Sequence, residues 1–135
     1  MLVIMTACML IGNTLSSSIH AATYTPRTTA PAKDNKYYYS KINPFYPNYG
    51  LPNCTCYAYG RAYEILGVDP KLPTGNAGTW YEKDTTHEKV STPQLGAIAC
   101  WKGTSSNYNG HVAVVEAIDG NKISFSESNY GGEIF

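Results

Sequence analysis

One segment of the sequence, residues 53–66, carries a complete set of helix signals. Apolar side chains at positions 54, 58, 62, 65 and 66 would form one stripe along a helix. Asn53 can cap the start of this helix, and Gly67 suits the left-handed residue that ends one, with Pro70 just beyond. We therefore predict a helix that begins at Cys54 and ends before Gly67.

The sequence after this helix favours β-strands. Residues 97–102, 111–118 and 122–128 read as strands, and the Asp-Gly-Asn turn at 119–121 joins the last two as a hairpin. We also expect a short helix over residues 76–81. One main helix followed by consecutive strands is typical of an α+β domain with an antiparallel sheet.

The composition narrows the possible function. A chain of 135 residues allows one domain of ordinary size. Ten Lys and Arg balance ten Asp and Glu with no basic block, so we expect no nucleic-acid partner. Charged residues make up only 15% of the chain and twelve residues are Tyr, which suits stacking on sugars or peptides outside the cell. No apolar run approaches the roughly 18 residues that span a bilayer, so we expect no integral membrane segment.

The first third of the chain is predicted to lie outside the folded domain. No charged side chain precedes Arg27, and an opening run of eleven apolar or small residues leads to small and polar residues that end at Ala21-Ala22. We predict a signal peptide over residues 1–22, with a short buried or frayed segment or a truncated stop-transfer fragment as alternatives. Residues 23–36, rich in Thr, Pro and Ala, are predicted to be a disordered linker, followed by one domain over 37–135.

Cys54 is the first candidate for chemistry, because it would lie in the first turn of the predicted helix. Unpaired backbone N–H groups and the helix dipole favour an anion there, and the thiolate is the nucleophilic form of cysteine. The same N–H groups could hold the oxyanion of a tetrahedral intermediate. The alternative is a buried structural cysteine, which is the commoner fate of a lone Cys.

His111, Glu127 and Asn129 are the candidates that would act with Cys54. His111 opens a predicted strand directly after a Gly, where its ring could reach across a cleft as a general base. Glu127 and Asn129 end the next strand, two residues apart and so on one face. A catalytic His needs such a partner to fix its tautomer and orientation. Each residue alone could be an exposed strand-end side chain, but the order Cys, His, Glu/Asn is more specific.

The hairpin decides whether these side chains can meet. A two-residue loop without a bulge would put His111 opposite Ser128, facing away from Glu127 and Asn129. A three-residue loop, or a one-residue bulge, would instead put His111 opposite Asn129 and Ala113 opposite Glu127. We therefore predict an odd-length loop or a bulge between His111 and Asn129.

Four blocks of sequence then carry a family resemblance. They are Pro-Asn-Cys-Thr-Cys-Tyr-Ala-Tyr-Gly-Arg (52–61), Leu-Gly-Ala-Ile-Ala-Cys-Trp (95–101), Gly-His-Val-Ala-Val-Val-Glu (110–116) and Ser-Glu-Ser-Asn-Tyr (126–130). In this order they resemble the CHAP domain, a papain-like cysteine amidohydrolase and peptidase module of phage lysins and bacterial wall-remodelling enzymes. The resemblance covers about residues 40 to 135.

The resemblance implies a papain-like fold and cleavage of peptidoglycan, at the muramyl–alanine amide or within the stem or cross-bridge peptide. It implies that Cys54 is the nucleophile, His111 the base, and Glu127 and Asn129 the orienting residues. Family members usually continue through further strands, so the end at Phe135 would make this a domain truncated at its C-terminus. Some relatives bind calcium ahead of the nucleophile, but residues 46–50 offer no carboxylates, and we expect no metal and no other cofactor.

The four cysteines, at positions 8, 54, 56 and 100, leave one question open. Cys56 cannot share a helical face with Cys54, so we interpret it as a packing residue. Cys56 and Cys100 could pair in a secreted protein, or Cys100 could be a small buried residue of a central strand.

The leading hypothesis is a secreted, monomeric peptidoglycan hydrolase of phage or bacterial origin that acts at the bacterial cell wall through a cysteine thioester. Four aromatic residues are predicted to line its substrate groove: Tyr49, Trp80, Tyr108 and Tyr130. The first alternative is a non-catalytic wall-binding or virion-associated module that keeps the fold. The second is a secreted interaction domain held by disulfides, which would require that Cys54 itself be paired.

Overall fold

The computed structural model describes residues 4–6 and 24–135. The elements, in sequence order, are β1 (Ile4–Thr6), α1 (Lys36–Tyr39), α2 (Cys54–Leu66), a 3₁₀ turn (Ala77–Thr79), α3 (Trp80–Lys83), β2 (Ile98–Trp101), β3 (His111–Asp119) and β4 (Lys122–Ser126). This is the predicted α+β fold, with three of the four strands where the sequence indicated them. Most of the predicted signal peptide lies outside the described residues, apart from Ile4–Thr6, which forms β1.

Helix α2 begins and ends where its capping signals predict. The Asn53 side chain accepts hydrogen bonds from the Cys56 backbone N–H (2.9 Å) and the Thr55 hydroxyl (2.6 Å). At the other end Gly67 is left-handed (φ 70°), and its N–H donates to the Tyr63 carbonyl. The short helix predicted over residues 76–81 is a 3₁₀ turn followed by α3, which extends to Lys83.

The N-terminal half of α2 is buried on all sides rather than along one stripe, because two layers cover it. All residues from Thr55 to Ala62 are buried. Helix α1 packs so closely on one side that a Cβ at Gly60 would lie 2.6 Å from the ring of Tyr38. The sheet covers the other side, where Val112 and Val114 belong to the same core cluster as α2.

The sheet is antiparallel throughout, with the strand order β1-β2-β3-β4. In β3, Val112 and Val114 pack toward α2, whereas Val115 belongs to a second cluster with Ala97 and Ala99 of the β2 region. One face of the sheet therefore packs against the helix, and its strand ends come close to the helix N-terminus.

The β3–β4 hairpin has a two-residue loop with a bulge. Asp119 pairs with Lys122, and Gly120 has the positive φ (56°) that the first residue of a type II′ turn needs. The three-residue loop is therefore wrong, because the glycine allows the tighter turn. The predicted alternative is confirmed: a register shift between Val115 and Ala117 leaves the residue between them as a bulge.

The bulge restores the register that the predicted site needs. Val114 pairs with Ser126. The ladder ends at this pair, because β4 stops at Ser126 rather than at residue 128 as predicted, so Glu127 and Asn129 lie beyond the strand and are not paired with β3. The register up to Ser126 is the one that the prediction required.

The bulged residue, Glu116, is the centre of a buried polar network. Its carboxylate accepts two hydrogen bonds from the Arg61 guanidinium (2.8 and 2.9 Å) and one each from the hydroxyls of Ser126 and Tyr24 (both 2.6 Å). Burial opposes ionisation of this carboxyl, but these bonds, above all those from Arg61, outweigh it and hold the pKa of Glu116 below its usual value. The network joins the middle of α2 to β3 and β4.

The segment predicted as a disordered linker makes specific contacts with the domain. Residues 24–35 contain no helix or strand. Even so, the Arg27 guanidinium forms a salt bridge with Glu64, and its backbone N–H donates to Glu116 (2.9 Å). In the described part of the chain, no helix is long and apolar enough to cross a membrane.

Candidate active site

Cys54 is the first residue of α2, and its side chain is partly exposed. The Asn53 cap occupies the Cys56 N–H. Within the described part of the chain, the N–H groups of Cys54 and Thr55 have no hydrogen-bond partner. Two unpaired donors therefore lie beside the thiol, where a negative oxygen could bind.

His111, the first residue of β3, lies between Cys54 and Glu127. Its Nε2 is 2.6 Å from the Glu127 Oε2. The Cys54 side chain also interacts with the ring, and this interaction is the largest cause of the shift in the pKa of His111. The interaction with Cys54 raises the pKa of His111, burial acts in the opposite direction, and the bond with Glu127 adds to the rise, so that the pKa lies above its usual value.

Two neighbouring features hold the His111 ring and backbone. The Trp101 ring packs against the imidazole, with 5.7 Å between ring centroids, and the two residues are paired across β2 and β3. Just before His111, the N–H of Gly78 in the 3₁₀ turn donates to the Asn109 carbonyl (2.8 Å). A Cβ on Gly110 would overlap the Cα of Gly78, so this close backbone approach requires glycine.

Asn129 is not bonded to His111. It lies three residues beyond the end of β4, and its side chain is exposed and makes no hydrogen bond within the described residues. Its backbone instead closes the C-terminal turn, where its N–H donates to the Glu133 carbonyl (3.1 Å). Of the two predicted partners, only Glu127 contacts the ring.

The aromatic residues predicted to bind substrate fall into two groups. Tyr49, Tyr108 and Tyr130 are 63, 86 and 79% exposed. Trp80 is only 1% exposed, and its ring packs against Phe45 in the core. The prediction that Trp80 lines a groove is therefore wrong, because α3 turns this side chain inward.

Two residues with reactive side chains lie away from this site. Cys56 is a buried free thiol, so it forms no disulfide with Cys100, and burial raises its pKa to about 12. His87 is buried, with Nδ1 2.7 Å from Asp84, which caps the end of α3. The interpretation of Cys56 as a packing residue agrees with its burial.

A cleft of about 490 Å³ contains none of the predicted site residues. Its charged lining consists of Arg27, Arg61 and Glu64. These side chains bond to one another or to Glu116. We assign this cleft to the structural network between the N-terminal segment and α2.

Sequence reasoning missed two features around the site, Ser128 and the approach of Gly78 to Gly110. Ser128 is fully buried beneath the site, and its hydroxyl contacts Asn53. The sequence signal for Ser128 was only its place between Glu127 and Asn129. For the glycines, the Gly before His111 was visible, but its partner lies 32 positions earlier and is brought close only by the fold.

Comparisons with known proteins identify a family that the chain matches. The family model described as "CHAP domain" matches residues 44–129. The chain is 30% identical over 126 residues to the "Staphylococcal secretory antigen SsaA" of Staphylococcus aureus strain NCTC 8325 / PS 47, covering 88% of this chain and 44% of that protein. The "Staphylococcal secretory antigen ssaA1" of Staphylococcus aureus strain COL matches with the same identity and the same coverage.

The chain thus spans less than half the length of the curated relatives it matches. No solved structure matches it significantly. The family model covers most of the folded domain, from the segment before Cys54 to Asn129. The chain belongs to the CHAP domain family.

Proposed function

We propose that this protein is a cysteine hydrolase that cleaves an amide or peptide bond of peptidoglycan through a thioester at Cys54. The observation that carries the proposal is the position of His111, which is bonded to Glu127 and interacts with the Cys54 side chain. A thiol, a base and an orienting carboxylate in this order form the usual unit of nucleophilic catalysis.

The first half of the reaction forms the thioester. The Cys54 sulfur attacks the carbonyl carbon while its proton passes to His111, and the Glu127 carboxylate stabilises the charged ring. The oxyanion accepts hydrogen bonds from the N–H groups of Cys54 and Thr55. When the C–N bond breaks, His111 returns the proton to the leaving amine, which departs neutral.

The second half releases the acyl product. A water molecule attacks the thioester carbonyl while His111 takes one of its protons. The tetrahedral intermediate then expels the Cys54 sulfur, which recovers the proton from His111 and leaves a carboxylic acid on the substrate. Water is consumed, and one carboxyl and one amine are produced per bond cleaved.

The substrate class and the location are part of the same proposal. Exposed aromatic rings at Tyr49, Tyr108 and Tyr130 could contact sugars or peptide stems of the wall. The relatives are named as secretory antigens, which supports action outside the cell. We propose that the protein is exported and acts on the bacterial cell wall.

Digestion of purified peptidoglycan, followed by mass analysis of the fragments, tests this function. We expect new amino and carboxyl termini from one bond type, with the muramyl–alanine amide and the peptide bonds distinguished by fragment mass. Alkylation with iodoacetamide should stop the reaction and a chelator should not. Binding to the wall without new termini would contradict the proposal and favour a non-catalytic wall-binding module.

A further inference from the structure

The Ser128 hydroxyl lies at the junction of three backbone segments. Its side chain is buried, with the residue 1% exposed. The oxygen accepts a hydrogen bond from the Asn53 N–H (3.2 Å) and donates one to the Glu133 carbonyl (3.1 Å). A buried hydroxyl that is both donor and acceptor has one favourable orientation.

The two ends of this connection are next to the reacting groups. Asn53 directly precedes Cys54, and Ser128 directly follows Glu127. Among the described residues, the Asn53–Ser128 bond is the one hydrogen bond that joins residues 53–56 to residues 127–129. It therefore ties the backbone beside the thiol to the backbone beside the carboxylate that holds the His111 ring.

We propose that Ser128 is a positioning residue, whose hydroxyl sets the spacing between the N-terminus of α2 and the segment after β4 that carries Glu127. This inference rests on the proposed function. His111 must contact Cys54 and Glu127 at once, and these come from two elements that could otherwise move apart. A displacement of about 1 Å at such a site can lower the rate by about 100-fold.

A matched control is available in Ser126. It is also a buried serine, two residues earlier at the end of β4. Its hydroxyl donates to Glu116 (2.6 Å) and, unlike that of Ser128, accepts no hydrogen bond from the Asn53 N–H. Truncating either serine removes one buried hydroxyl and one hydrogen-bond donor, but only one of the two changes touches the candidate site.

The test compares Ser128→Ala, Ser126→Ala and Ser128→Thr in the full-length protein. For Ser128→Ala we expect kcat to fall by about 10- to 100-fold with KM within about twofold. The NMR titration of the His111 ring should move toward the ordinary imidazole value. Ser128→Thr, which keeps the hydroxyl, should recover most of both losses, and Ser126→Ala should change only the thermal stability.

Three results would overturn the proposal. The first is a Ser128→Ala protein that loses stability as Ser126→Ala does but keeps the wild-type kcat and His111 titration. The second is an Asn53 amide that exchanges with solvent in the wild type as fast as an unbonded loop amide, a measurement that needs no variant to fold. The third result applies if the wild type hydrolyses no peptidoglycan: the His111 ring then titrates at the same pH in Ser128→Ala as in the wild type. Because this titration does not depend on hydrolysis, it separates failure of this inference from failure of the proposed function.

Discussion

At the scale of single residues, the site depends on how one imidazole is held. His111 bonds to Glu127, interacts with the Cys54 side chain and packs on the Trp101 ring. The Glu127 carboxylate fixes Nε2 as a donor, which leaves Nδ1 as the nitrogen that exchanges a proton with the thiol. The sequence indicated Cys54, His111 and Glu127 as site residues. It did not predict that only Glu127, and not Asn129, would bond to the His111 ring.

The environment of His111 predicts its titration. Because the interactions with Cys54 and with Glu127 outweigh burial, the pKa of His111 should lie above the ordinary 6.5. We expect NMR titration of the wild type to show this, and Cys54→Ala to lower the value, because the largest cause of the rise is removed. Glu127→Gln should lower it as well, by removing the second bond.

The same shift has a defined effect on stability. A pKa raised on folding means that the charged ring favours the folded state. This contribution is fully present below about pH 6.5, the value for an unperturbed His, and is lost as the pH rises through the folded pKa. In urea unfolding, the unfolding free energy of His111→Gln should lack this part of the pH dependence. A wild-type His111 that titrates at or below 6.5, with no response to Cys54→Ala, would be incompatible with the described environment of the ring.

At the scale of elements, local signals predicted α2 well and the hairpin only in part. Asn53 and Gly67 act through neighbouring backbone groups, so the helix bounds could be predicted from the sequence. The Asp-Gly-Asn turn is compatible with a two-residue or a three-residue loop. The need for His111 to face Glu127 constrained the register of the hairpin but not the length of its loop. The bulge falls at Glu116, whose partner Arg61 lies 55 positions earlier, and local patterns do not contain that pairing.

The contact between the 3₁₀ turn and the start of β3 leads to a prediction for Gly78→Ala. A Cβ there would lie 2.7 Å from the Gly103 nitrogen and 3.3 Å from the Asn109 oxygen, so the turn must move away from the residues that precede His111. We expect a loss of about 1–3 kcal/mol in unfolding free energy and a lower hydrolysis rate of the folded protein.

Gly67→Ala is the control for this prediction. Gly67 is left-handed (φ 70°), and a Cβ added there would meet no atom within 4 Å, so alanine costs about 1 kcal/mol through backbone strain alone. It lies at the opposite end of α2 from Cys54, and the hydrolysis rate of this variant should match that of the wild type. If Gly78→Ala were as active as Gly67→Ala, the turn would have no part in placing His111.

At the scale of the whole molecule, the fold brings distant residues to one place. Helix α2 packs on one face of the sheet, so its N-terminus meets the start of β3 and the residues after β4. The sequence order of helix and strands was enough to predict this α+β arrangement. The buried polar network could not be predicted in the same way, because Arg61, Glu116 and Tyr24 are far apart in the sequence and come into contact only in the folded protein. Trp80 was misjudged for the same reason, since its burial depends on Phe45.

The most direct test of the thioester mechanism compares Cys54→Ala with the wild type. The measured quantity is the rate at which each protein releases new termini from purified peptidoglycan. Loss of the sulfur removes the nucleophile but little volume at a partly exposed helix end, so the variant should keep the wild-type circular dichroism spectrum and unfold at a similar temperature. We predict that it releases no termini above the enzyme-free background. A folded Cys54→Ala protein that cleaves the wall at the wild-type rate would contradict the mechanism.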